Sequence, residues 1–217
     1  IIETRSDNKK SQPSCFSALQ TYLFYGPEYI QKHVLSNDAM LSNRSDEILS
    51  AIKDVLEKGH EILYYGPMKT GDLEGVLKGS HYVAEGAEIL PERHDEVLQT
   101  PESKVFLAQY DAKQLYYMQY SNRGETFDPF EAAGINMYNE YFGGGMNAIV
   151  FQEMREARGL AYSASATLAT PNYNTEDFYK YIAVIATQND KMRSAIEAFD
   201  SIINDMPESE KAFDVAK

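Results

Sequence analysis

Two runs in the second half of the chain decide the fold, Tyr162-Ser-Ala-Ser-Ala-Thr-Leu168 and Phe178-Tyr-Lys-Tyr-Ile-Ala-Val-Ile-Ala186. Both have the length and residue types of single β-strands. The residues that follow have helical spacing, with large apolar side chains predicted on one face: Met192, Ile196, Phe199 and Ile203. The pattern predicts two strands followed by an amphipathic helix.

Further elements are predicted immediately upstream. Lys104-Val-Phe-Leu-Ala-Gln-Tyr110 and Gln114-Leu-Tyr-Tyr-Met-Gln-Tyr120 are strand-like and only three residues apart, which predicts a β-hairpin. Asp128-Pro129 begins a helix that Gly143-Gly-Gly145 ends, and a second helix covers about residues 147–157. Strands joined by hairpins and covered by helices predict the α+β class, with an antiparallel sheet backed by helices.

The first part of the chain is predicted to be mostly helical. One helix covers residues 16–25, and a second begins near Ser45, whose side chain can cap it, and stops at Gly59. The run Glu61-Ile-Leu-Tyr-Tyr65 predicts a short strand, followed by a short helix over about residues 73–79.

The domain organisation follows from residues 83–103, which lose the apolar period and contain several glutamates and two prolines. We interpret this stretch as a linker between residues 1–82 and residues 104–217. The chain begins at Ile1 without a methionine and stops at Lys217 among good helix formers, so we expect it to be a fragment of a longer protein.

Composition excludes several classes of function. The 217 residues carry 33 acidic and 20 basic side chains, and a net charge of −13 repels nucleic-acid phosphates and anionic membrane surfaces. No apolar run approaches the roughly 18 residues that a membrane-spanning helix needs. Cys15 is the one cysteine, which excludes an internal disulfide and a thiolate zinc site and leaves the cellular compartment undecided.

Several common catalytic motifs are incomplete in this sequence. The run Gly66-Pro-Met-Lys-Thr-Gly71 matches the start of a phosphate-binding loop, but Asp72-Leu73 stand where the loop needs Lys and Ser or Thr, so a turn before a helix is favoured. No two of the four histidines have the spacing of a zinc motif, and Cys15 has no histidine near it in sequence to activate it.

Two candidate sites remain, each with two interpretations. Gly143-Gly-Gly145 is either a tight reversal between helices or a place where backbone approaches another backbone or a ligand. Met154-Arg-Glu-Ala-Arg-Gly-Leu-Ala-Tyr162 is either a solvated face with short-range ion pairs or a functional constellation.

The runs Phe142-Gly-Gly-Gly-Met-Asn147 and Phe151-Gln-Glu-Met-Arg-Glu-Ala-Arg-Gly-Leu-Ala-Tyr-Ser163 resemble the later, non-zinc-binding domains of the pitrilysin and insulinase family of zinc metallopeptidases. Residues 104–217 resemble the first half of one such domain, and residues 1–82 resemble the second half of the domain before it. The resemblance implies α+β domains, two halves of an enzyme that close around an extended peptide, and zinc held elsewhere, in the parent chain or a partner subunit.

The resemblance also implies roles for particular residues. Arg155 and Tyr162 correspond to an Arg and a Tyr that reach the active site from the opposite half of the enzyme, where they bind substrate and stabilise the oxyanion. Gly143, Gly144 and Gly145 are expected to contact the substrate. The expected function is the substrate-clasping part of a zinc endopeptidase, inactive alone and without its own cofactor; the alternative is a non-catalytic structural or peptide-binding subunit. The expected partners are peptides, the zinc-binding half and, for the isolated fragment, a second copy.

Overall fold

A computed structural model describes residues 1–81, 86–90, 95–171 and 178–217. It divides the chain into two compact units, one formed by residues 1–26 with residues 97–217 and the other by residues 27–96. Residues 1–26 therefore pack with the second half of the chain. The assignment of residues 1–82 and 104–217 to halves of two family domains stays a prediction.

The larger unit is built on a three-stranded antiparallel sheet. Its strands are β1 (Gln114–Ser121), β2 (Ser163–Ala169) and β3 (Lys180–Gln188), in the spatial order β1-β3-β2. The central strand places Val184 opposite both Met118 of β1 and Ser165 of β2. The sheet confirms the predicted α+β class and the two strands predicted in residues 162–186.

Helices make up most of the remaining regular structure. Their bounds are α1 Ile2–Asn8, α2 Gln12–Tyr25, α3 Pro27–His33, α4 Asn37–Ser42, α5 Ser45–Leu56, α6 Thr70–Ser80, α7 Ala132–Phe142, α8 Ile149–Phe151 with a π-helical turn Gln152–Ala157, α9 Met192–Asn204 and α10 Glu210–Ala216. Short 3₁₀ turns precede α7 and α9. The predicted helices near residues 16–25, 45–59, 73–79, 128–143 and 147–157 are all present.

The core lies between one face of the sheet and helices α7 to α10. Its largest fully buried side chains include Phe142, Val150, Met154, Ile185, Phe199 and Ile202. Residues of α7, α8, α9, β2 and β3 share this single cluster, so the segment before β2 is anchored on both sides by buried residues.

The buried face of α9 differs from the predicted one. Phe199 is buried as expected, but Met192 and Ile203 are exposed, and the other buried positions are Ala195, Ala198 and Ile202. Alanine lets a helix approach a sheet closely, so small residues occupy the contact. A prediction based on large apolar residues therefore places the buried face at the wrong position around the helix axis.

The predicted hairpin of residues 104–110 with residues 114–120 is wrong. Residues 104–110, all of which the structure describes, form no strand, and β1 pairs instead with β3 from much later in the chain. The Phe106 ring packs against Tyr22 at 5.6 Å and the Tyr110 hydroxyl donates to the Lys10 carbonyl. These contacts draw the segment toward the N-terminal helices.

The strand predicted over residues 61–65 is also wrong. The structure describes these residues and assigns them no strand, and Leu63 is almost fully exposed. A strand needs a neighbour to bond its backbone, so residue types that favour strands are not sufficient alone. The start of α5 also differs: Ser45 is its first residue, Arg44 precedes it, and the Glu47 carboxylate accepts from the Arg44 backbone N–H at 3.1 Å.

Helix α2 covers the face of β1 that lies away from the core. Phe16 and Phe24 of α2 pack their rings against Tyr116 and Tyr120, whereas Tyr117, which points to the other face, packs against the core. Among the described residues, no helix is long and apolar enough to cross a membrane.

Candidate functional site

Arg155 lies in the π-helical turn that continues α8. The widened turn places the Met154 side chain in the core, and the Met154 carbonyl accepts from the backbone N–H groups of Leu160 at 2.9 Å and Ala161 at 3.2 Å. Gly159 adopts a positive φ of 58°, which reverses the chain at low cost because glycine has no Cβ. Single π turns of this kind occur frequently at functional sites.

The reversal brings Tyr162 back beside Arg155. The Tyr162 backbone N–H donates to the Ala186 carbonyl at 2.7 Å, which fixes Tyr162 at the start of β2. The Arg155 guanidinium carbon lies 5.8 Å from the centroid of the Tyr162 ring. The two predicted site residues are therefore adjacent in space.

Both side chains are accessible. Tyr162 is 70% exposed and the Arg155 side chain 47% exposed. Arg155 makes one long ion-pair contact, 3.6 Å from Nε to a Glu156 carboxylate oxygen. Among the described residues neither the guanidinium nor the Tyr162 hydroxyl has a hydrogen-bond partner, so both can donate to a ligand.

Phe151 supports Arg155 and was not found by sequence reasoning. Its ring lies 5.0 Å from the Arg155 guanidinium carbon, so the guanidinium contacts two aromatic rings. The available signal was the spacing, because residues four apart on a helix lie on the same face.

The neighbouring charges are paired differently. Arg158 donates to the Glu153 carboxylate at 3.3 Å, and the Lys191 ammonium donates to the Gly159 carbonyl at 3.0 Å. Together with the Arg155–Glu156 contact, these contacts match the interpretation of the segment as a face with short-range ion pairs.

The three glycines have different surroundings. A Cβ on Gly143 would stand 2.1 Å from the Ala166 carbonyl oxygen, and one on Gly144 would stand 2.8 Å from the Asn139 carbonyl oxygen. A Cβ on Gly145 would meet nothing within 4 Å. The first two glycines are thus required by close approach of the chain's own backbone, and a substrate contact at any of the three stays a prediction.

The remaining candidates carry no catalytic arrangement. Residues 66–69 form a turn before α6, stabilised by a hydrogen bond from the Met68 backbone N–H to the Tyr64 hydroxyl at 3.1 Å. His60 and His81, 21 residues apart in sequence, have their rings in contact, which no spacing rule predicts. Within the described ranges, no group of three or more His, Cys, Asp or Glu side chains could hold a metal ion.

The fold is that of a known class of peptidase-related domain. The crystal structure of a peptidase M16 inactive domain from Pseudomonas fluorescens superposes with a TM-score of 0.66 at 17% sequence identity, covering 97% of this chain and 51% of that chain. This chain therefore spans about half the length of that protein. No curated protein matches the sequence.

The family follows from the sequence match. The family model described as the peptidase M16 inactive domain matches residues 72–217, about two thirds of the chain, and the chain belongs to this family. The match confirms the resemblance to the pitrilysin and insulinase-type peptidases. It begins within the segment predicted as residues 1–82.

Proposed function

We propose that this chain is the substrate-clasping, non-zinc-binding part of a zinc-dependent endopeptidase that cleaves peptides or unfolded polypeptides. One observation carries the proposal: a local chain reversal holds Arg155 and Tyr162 side by side, with their donor groups exposed and without hydrogen-bond partners among the described residues.

The two side chains suit amide hydrolysis. Addition of a nucleophile to a peptide carbonyl creates an oxyanion, and a Tyr162 hydroxyl can donate a hydrogen bond to it. The Arg155 guanidinium presents several N–H donors in a fixed plane and can hold a neighbouring substrate carbonyl. Removing one oxyanion donor typically costs about 3 kcal/mol of transition-state stabilisation, or roughly 100-fold in rate.

The catalytic metal is expected outside this chain. Since the described residues lack three clustered ligands, they do not fit a catalytic zinc site, which typically has three protein ligands and one open position. The proposal therefore assigns to this chain substrate binding and oxyanion stabilisation only. The zinc-binding half of the parent chain, or a partner subunit, supplies the rest.

A second candidate function is a non-catalytic structural or peptide-binding subunit. It is favoured by the packing of Arg155 between the Phe151 and Tyr162 rings, an arrangement that would also stabilise the chain reversal by itself. In that case the pair is structural and its loss weakens folding without affecting chemistry.

Peptide cleavage by the full-length parent, with any required partner, tests the two candidates. We expect chelator-sensitive cleavage, with kcat/KM about 100-fold lower in Tyr162→Phe and in Arg155→Ala. Arg158→Ala is the matched control, because Arg158 lies on the same turn and pairs with Glu153; it should stay within about twofold. Equal activity of the parent and the three variants would contradict the catalytic role of the pair. A lower Tm of Tyr162→Phe and Arg155→Ala without a change in kcat would favour the structural role.

A further inference from the structure

The ends of α5 and α6 bring two histidines together. His60 follows the end of α5, and His81 is the residue that ends α6, where its backbone N–H donates to the Leu77 carbonyl at 2.8 Å. Their Nε2 atoms lie 2.6 Å apart, with the rings nearly perpendicular at 85°. Both residues belong to the compact unit of residues 27–96.

The tautomer of His60 is set by a backbone carbonyl. His60 Nδ1 lies 2.9 Å from the Lys58 carbonyl oxygen, and because that oxygen can only accept, Nδ1 carries the proton. In the neutral imidazole, the Nε2 atom of His60 therefore presents its lone pair to His81. A ring N–H bonded to a backbone carbonyl is also the usual arrangement behind a metal-binding histidine, since it orients the ring and raises its basicity.

The loop that holds His60 is tied down independently. The Gly59 backbone N–H donates to the Glu88 carbonyl at 2.9 Å, and the Lys58 ammonium lies 2.7 Å from the Glu88 carboxylate. A Cβ on Gly59 would stand 3.0 Å from Ile89, so the two segments are in close contact. The orientation of His60 thus rests on backbone contacts as well as on its own side chain.

We propose that His60 and His81 form a binding site for a divalent transition-metal ion of the zinc and copper class, with both Nε2 atoms as ligands and water in the other positions. Imidazole nitrogen suits Zn²⁺, Cu²⁺ and Ni²⁺. Two nitrogens each about 2.05 Å from a tetrahedral ion lie about 3.3 Å apart, so these exposed side chains need to separate by roughly 0.7 Å. Each ring must also turn by roughly 35° so that its lone pair points at the ion instead of at the other ring, and the His81 proton moves to Nδ1, the alternative neutral tautomer.

The site binds without a third protein ligand. No group of three ligating side chains exists among the described residues, so the affinity comes from two imidazoles and from the net charge of −13, which attracts cations. The ion would join the ends of α5 and α6, and it would stabilise the unit of residues 27–96 by binding its folded form.

Calorimetric titration of the chelator-treated 217-residue chain with ZnCl₂ tests the proposal. We expect one ion per chain and a rise in Tm, and at least a tenfold loss of affinity in His60→Gln and in His81→Gln. His33→Gln is the matched control, because His33 contacts the Asp95 carboxylate at 2.9 Å, away from the pair, and should bind as the parent does.

Two further measurements distinguish the loss of metal ligands from a change in folding. Far-UV circular dichroism and the metal-free Tm of each variant must match the parent chain, so that lost binding reports lost ligands. Histidine NMR should show coordination through Nε2 at two residues. Absence of saturable binding in the parent chain, or unchanged binding in the double variant His60→Gln/His81→Gln, would overturn the proposal. The test is independent of peptide cleavage.

Discussion

Replacing Gly143 with alanine should destabilise the larger unit strongly, although the substitution adds a single methyl group. The new Cβ would stand 2.1 Å from the carbonyl oxygen, 2.5 Å from the nitrogen and 2.8 Å from the carbonyl carbon of Ala166. All three atoms belong to the backbone of β2, so no flexible side chain can move aside. The end of α7 and the strand would have to separate.

The magnitude follows from the size of that separation. A carbon atom normally stays more than 3 Å from such atoms, so the two segments must move apart by about 1 Å. Overpacking of a well-packed core costs typically 1–3 kcal/mol, and a clash between two backbones belongs at the upper end, about 3 kcal/mol. For a chain of this size that corresponds to a fall in Tm of about 6–12 °C.

Gly145→Ala is the control, since a Cβ there would meet nothing within 4 Å and should change stability by less than about 0.5 kcal/mol. Urea denaturation followed by far-UV circular dichroism measures both. Equal midpoints for the two variants would refute the packing argument. If instead Gly145→Ala weakens peptide binding by the full-length parent while stability is unchanged, the predicted substrate contact gains support.

Two further substitutions test the surroundings of the sheet. Asn139→Ala should lower the free energy of unfolding by about 2 kcal/mol and promote aggregation. The Asn139 side chain donates to the Leu168 carbonyl at 3.0 Å and accepts from the Leu168 backbone N–H at 2.8 Å, so it covers the edge of β2. Urea denaturation measures the first effect and light scattering the second. Tyr181→Phe should be at least as stable as the parent chain at pH 7, because the buried Tyr181 hydroxyl has no hydrogen-bond partner among the described residues; a loss of 1 kcal/mol or more would contradict this. Burial raises the pKa of Tyr181, so the folded parent keeps the phenol proton at a pH where the unfolded chain has lost it. The parent therefore keeps its full free energy of unfolding below about pH 10 and loses part of it above that pH. Urea denaturation at pH 11 should show a smaller decrease of this free energy in Tyr181→Phe.

The elements that sequence predicts well are those whose stability is local. The predicted end of helix α2 is correct, since the chain leaves the helix at Gly26 with a positive φ of 74°. Its start lies four residues before the predicted residue 16, at Gln12, where the Ser11 hydroxyl accepts from the Ser14 backbone N–H. Helix α7 likewise begins after a proline turn and ends at the glycines. Such signals depend on a few neighbouring residues, so they can be predicted without knowledge of the fold.

Strand pairing depends on distant residues and is predicted less well. Residues 104–110 and β1 have similar strand-forming composition, yet only β1 pairs, because β3 lies beside it. Residues 61–65 show the same failure. In α9 the error is of another kind, since close packing selects alanines that a hydrophobicity pattern ranks low.

The same distinction separates the two candidate sites. Arg155 and Tyr162 are seven residues apart, and the reversal that joins them is closed by the carbonyl of the preceding residue, Met154, and by Gly159 between them. An arrangement of this kind is encoded by one contiguous motif, which is why sequence alone could single out the pair as a candidate site. His60 and His81 meet only because two helix ends converge, and no local pattern predicts that contact. The chain reversal is therefore local, although the Ala186 carbonyl of β3 also holds Tyr162 in place, whereas the histidine pair depends entirely on the packing of the unit that holds it.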